Sequence, residues 1–158
     1  MYLFAMRDDV WLKLKFEELY ESHFCDVPRL NSIEIGFGRK AKRRFGSISL
    51  GRDKKTSVIT INGVFRDERV PEQIICSVMA HELCHYVHGF NSPLPKKYDS
   101  PHAGGVIKRE LKKRGLSLLE EYEKMWTRAN WPKFSREVFG VPLYRAHRFL
   151  RLPKFRLW

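Results

Sequence analysis

The chain is short of cysteine, of acids and of long apolar runs. Its three cysteines, Cys25, Cys76 and Cys84, form no C-x-x-C pair and are odd in number. That argues against a thiolate zinc ribbon or a disulfide framework, and for a reducing compartment; the cysteines are expected as small core residues. No stretch approaches the roughly 18 apolar residues of a membrane span. The apolar run Tyr2 to Met6 is too short for a secretory signal and has no basic segment before it. The expectation is no membrane association and a cytoplasmic protein, nucleoid-associated in a bacterium or nuclear in a eukaryote. Acids are outnumbered: 18 Asp and Glu face 30 Lys and Arg, a net charge of +12. Such an excess points to a polyanionic partner, nucleic acid first. With 43% hydrophobic residues and four tryptophans, 158 residues suffice for one folded domain.

What the sequence does carry is His81-Glu82-Leu83-Cys84-His85, an H-E-x-x-H string. Residues four apart on a helix share a face about 6 Å apart along the axis, so two imidazoles can close on one tetrahedral zinc ion. The glutamate between them comes close without binding, where it can act as general base on a water acidified by the metal. The segment Pro71 to His88 reads as the helix that carries this string, with Glu72 near its positive end and Gly89 as a left-handed C-cap. Ile74, Ile75, Val78, Met79 and Tyr86 fall on the arc that holds the histidines, so the site faces the protein interior.

A catalytic zinc site wants a third protein ligand. His88 lies seven residues from His81, roughly 10 Å along the axis, too far for both to bind one ion; it reads as a pocket-lining residue or a plain helix-end histidine. His102, after the loop Asn91 to Ser100, has ample reach and is taken as the third ligand. Glu110, Glu120 and Glu121 are the carboxylate alternatives. Cys84 reads as packed, and His23 and His147 as structural or surface residues.

Around this centre, Asp9 to Phe24 has mostly helical spacing, and Ser32 to Phe37, Phe45 to Leu50 and Ser57 to Ile61 are β-prone. Three antiparallel strands in meander order are the simplest arrangement. Helices are expected from about Asp99 to Gly115 and from Ser117 to Ala129, the latter burying Leu118, Leu119, Tyr122, Met125 and Trp126 on one face. Between the first two strands, Arg39, Lys40, Lys42, Arg43 and Arg44 would make a basic hairpin tip suited to phosphates. After residue 131 the composition shifts. Residues 132–158 interleave Arg145, Arg148, Arg151, Lys154 and Arg156 with Phe149, Phe155 and Trp158, the mixture of a single-stranded nucleic acid groove or of a tail packed back on the domain. The expected organisation is a metal-site domain over 1–131 and a basic aromatic tail over 132–158.

Over residues 10–115 the chain resembles the SprT-like, Spartan-type family of zinc metalloproteases. The resemblance rests on Leu19-Tyr20-Glu21-Ser22-His23-Phe24, the basic segment leading into Phe45-Gly46, Val58-Ile59-Thr60-Ile61, the H-E-x-x-H string and Pro101-His102-Ala103-Gly104-Gly105-Val106. Ala103 and Val106 depart from the glycine and phenylalanine frequent in that family, and the cysteine ribbon many members carry is absent. The resemblance implies a protease acting on DNA-bound or DNA-crosslinked proteins, with single-stranded or junction DNA as partner. The combined reading is an α+β, zincin-like single domain, a small antiparallel three-stranded sheet packed on the metal helix. His81, His85 and His102 would bind one Zn2+ per chain, with Glu82 as base towards a protein or peptide substrate. The rival readings are a nucleic-acid-binding module with a structural zinc, and a metal-dependent nuclease. For an oxyanion donor the nearest polar candidates are Tyr98 and His88.

Overall fold

The computed structural model describes residues 7–140, and the α+β class is as expected. The expected tail cations, from Arg145 to Arg156, and His147 lie outside the described residues. Helix α1, Asp9–His23, starts where the Asp8 side chain accepts the Trp11 N–H at 2.8 Å. It buries Leu12, Phe16, Leu19 and Tyr20 against the sheet and against α2, Glu72–Val87. Strands β1 (Ile33–Phe37), β2 (Gly46–Leu50) and β3 (Ser57–Ile61) follow where the alternation placed them.

Their pairing is not the expected meander. The order is β1-β3-β2, with β3 in the middle, parallel to β1 and antiparallel to β2. Alternation fixes which side chains of a strand are buried and leaves its neighbours open. The segment that crosses between β1 and β2 is fastened by Asn62, directly after β3. Its buried side chain donates to Ala41 O (2.6 Å) and Arg44 O (2.8 Å) and accepts from Ala41 N (3.0 Å), while its own N–H donates to Phe45 O (2.8 Å). The chain leaving β1 is thereby carried across the end of β3. The basic segment 39–44 is thus a crossing arch rather than a hairpin tip. Gly63 makes the crossing possible, because a Cβ there would lie 2.3 Å from Gly38 O.

Helix α2 is more deeply set than one apolar arc implies. Ser77, Ala80, Leu83, Cys84 and Val87 are buried along with the arc residues, and α2 touches α1, β2, β3 and the two helices that follow it. It ends at Gly89, whose φ of +80° and close approach to the Pro95–Lys96 backbone (2.6 Å) admit no side chain. The third expected helix is shorter: a 3₁₀ turn, Ala103–Gly105, precedes α3, Val106–Lys113. Gly104 and Gly105, both at positive φ, break the helix there and leave His102 in the loop before it.

Helix α4, Ser117–Phe139, continues ten residues past the expected end and through Pro132, across the compositional boundary at 131/132. A proline inside a helix costs about 3 kcal/mol. Aromatic packing offsets it: Trp131 lies 4.7 Å from Phe45 and 5.7 Å from Phe134, ring centre to ring centre. The inward face of α4 also differs from expectation. Leu119, Trp126, Trp131 and Phe134 meet the core, whereas Leu118, Tyr122 and Met125 are exposed. Nor are all three cysteines core residues: Cys84 is buried and Cys76 half-buried, but Cys25 is exposed. No described helix is long and apolar enough to cross a membrane.

Candidate metal centre

Helical spacing sets His81 and His85 on one face of α2, ring centres 4.9 Å apart. The glycine-rich turn before α3 brings the ring of His102 to 4.6 Å from His85 and 5.4 Å from His81. One nitrogen from each imidazole lies within 4.8 Å of the other two. His81 Nε2 and His102 Nε2 are 3.2 Å apart, close to the roughly 3.3 Å edge of a tetrahedron with metal–nitrogen bonds of 2.0–2.1 Å. The three expected histidines are therefore together, close enough to hold one metal ion.

The donor chemistry fits a cation. Burial, reinforced by the neighbouring His102, pushes His81 down to about 4; burial with His81 and His102 pushes His85 down to about 3. Both rings are neutral near pH 7, with lone pairs to give. The buried Nδ1 of His85 has no hydrogen-bond partner among the described residues, so the protein alone does not satisfy this ring.

Glu82 stands beside the triad, 6% exposed. Burial pushes its carboxyl up to about 7, opposed by the charge of Arg44 and by a hydrogen bond from the Ile48 backbone. Gly46 allows this approach of β2 to α2: a Cβ there would lie 2.5 Å from Val78 Cγ1 and 3.0 Å from Glu82 Oε1. Asn91 then ties the far side, its side-chain amide donating to Ile48 O at 3.0 Å. The result is an open cleft of about 610 Å³ between edge strand β2, α2, the His102 loop and α4.

The other sequence candidates go elsewhere. His88 is fully buried and faces Glu110 (3.3 Å), with Tyr98 packed edge-on against its ring. Glu110 also takes Arg114 (2.8 Å), and Glu120 is paired with Lys124; Glu121 is exposed. None of the three carboxylates joins the triad. His23 donates from Nδ1 to Arg114 O at 2.9 Å, a structural role. Of the arch, Arg43 and Arg44 line the cleft, while Arg39, Lys40 and Lys42 do not.

Sequence reasoning missed Glu123, which lines the cleft from α4 and accepts from Ser77 Oγ at 3.3 Å. Its signal was masked by the misassigned inward face of α4. Set against protein-family models, curated proteins and solved structures, the chain matches none.

Proposed function

We propose that the chain is a zinc-dependent endopeptidase of zincin-like, SprT-like type, acting on proteins bound or crosslinked to DNA. The observation that carries this reading is the convergence of three imidazoles, with the Glu82 carboxylate beside them in an open cleft. A structural zinc site closes with four protein ligands, whereas a hydrolytic one keeps a position open. The cleft is the feature that favours hydrolysis.

His81, His85 and His102 would hold the zinc. The chemistry a bound zinc supplies is Lewis acidity towards a carbonyl oxygen and a water. Glu82, buried beside the triad, would take the proton from that water and return it to the leaving amine nitrogen as the peptide C–N bond breaks. An extended substrate fits alongside β2, an edge strand that lines the cleft. The arch 39–44 supports the DNA part of the reading: it holds five cations in six residues, of which Arg43 and Arg44 line the same cleft.

Elemental analysis of the purified chain, paired with digestion of a basic DNA-binding protein with and without DNA, tests this directly. The expected result is one zinc per chain and cleavage that DNA stimulates. Stoichiometric zinc with salt-sensitive DNA binding and no proteolysis would instead indicate the structural-zinc module. Loss of the DNA itself would indicate a nuclease.

A further inference from the structure

The peptidase reading leaves one chemical need unmet. When the water oxygen adds to the carbonyl carbon, the C=O π pair moves onto the carbonyl oxygen, and that charge gains most from a donor fixed in advance. The two sequence candidates are placed elsewhere: His88 is committed to Glu110 and Tyr98 packs on His88, and neither lines the cleft.

We propose that Arg44 is the oxyanion-binding residue of this cleft, its guanidinium donating to the substrate carbonyl oxygen as negative charge develops there. The inference rests on the peptidase reading. Arg44 lines the same cleft as Glu82 and the three histidines. Its backbone is fixed, because Arg44 O accepts from Asn62 and the next residue, Phe45, is held through its carbonyl by Asn62 and through its ring by Phe65 and Trp131. The fixed backbone anchors the side chain at the cleft wall, and the guanidinium itself orders on meeting the substrate oxygen.

Its guanidinium is also unspent. Arg29, Arg66, Arg69 and Arg114 each pair with a carboxylate. Among the described residues Arg44 makes no side-chain hydrogen bond or ion pair, with Glu82 or any other acid. Arginine suits this role because it stays protonated throughout the working pH range and offers a planar fork of donors. No proton or bond changes hands at Arg44. The water proton goes to Glu82 and then to the leaving nitrogen.

The test uses the zinc-loaded full chain and the variants Arg44→Gln and Arg44→Lys, both at an exposed position that leaves the core intact. Three readouts are taken: kcat and KM on a fluorogenic peptide, calorimetric binding of a peptidyl phosphonate as a tetrahedral anion, and affinity for a DNA oligonucleotide. The expected result for Arg44→Gln is a kcat loss on the order of 10²-fold with little change in KM. Phosphonate binding should weaken in parallel, and Arg44→Lys should recover part of both. Unchanged kcat and phosphonate binding would overturn the assignment, and a drop in DNA affinity alone would make Arg44 a phosphate contact instead. If the wild type cleaves no peptide but Arg44→Gln still weakens the phosphonate, the anion site stands and the peptidase reading falls. If the wild type cleaves nothing and binds the phosphonate no better than the variant does, both fall.

Discussion

Two histidine clusters meet on the last turns of α2, and they are built for opposite ends. In the first, His81, His85 and His102 face one another, and among the described residues no acid is hydrogen-bonded to any of their rings. In the second, three residues further on, His88 faces Glu110, which is held in turn by Arg114, and Arg114 reaches Asp26 and the His23 carbonyl. The second cluster pairs its charges internally and ties α1, α2 and α3 together, although His88 Nδ1, like His85 Nδ1, has no hydrogen-bond partner among the described residues. The first leaves donor capacity unmet. A buried polar cluster completed by its own counter-charges is structural, whereas one lacking them has room for a ligand.

The comparison breaks most visibly at the first cluster. His85→Ala should abolish zinc retention, read by elemental analysis after dialysis, with the fold preserved by circular dichroism; zinc still bound at full occupancy would remove His85 as a ligand. Glu82→Gln should keep the zinc and lower peptide cleavage on the order of 10³-fold, as expected for loss of a general base. Retained turnover would strip Glu82 of that role.

At the second cluster the effect moves from chemistry to stability. Glu110→Ala leaves the Arg114 guanidinium and His88 without their shared carboxylate and should cost about 3 kcal/mol in urea unfolding. Zinc stoichiometry in the folded protein should be unaffected. The same carboxylate gives a signed pH effect. Burial pushes the Glu110 carboxyl up, but Arg114 and His88 outweigh it and hold it below its ordinary range. Its contribution is therefore complete above about pH 4 and is lost as pH falls further. Glu110→Gln should flatten that part of the stability profile; an unchanged acid limb would show that the pairing does not govern it.

Smaller effects sharpen the contrast. Gly46→Ala forces β2 off Val78 and Glu82 and should cost about 1–3 kcal/mol, with cleavage falling further than stability alone explains. Met125→Lys, on the exposed face of α4, should shift stability by no more than about 0.5 kcal/mol. A large loss there would mean that this face is covered.

Much of the site was legible because its signal is local. The 81/82/85 spacing works only on one helix face, Gly89 marks where that helix stops, and the loop length gave His102 its reach. The misread parts depend on contacts between distant segments. Leu118, Tyr122 and Met125 have the spacing of a buried stripe yet are exposed; of the expected face only Leu119 and Trp126 meet the core, joined by Trp131, which packs on Phe45, and by Phe134. Sheet order escaped for the same reason, since the arch is fastened by contacts from Asn62, some twenty residues away in the chain from Ala41 and Arg44.

By itself, then, the sequence determined the helix that carries His81, Glu82 and His85, the spacing of those residues and the positions of three strands, because periodicity and capping act within a few residues. Only the tertiary structure decided which strand lies in the middle, which face of α4 is buried, and that Arg43, Arg44 and Glu123 share a cleft with the triad. Those outcomes turn on packing between segments remote in the chain, where no local pattern carries the information.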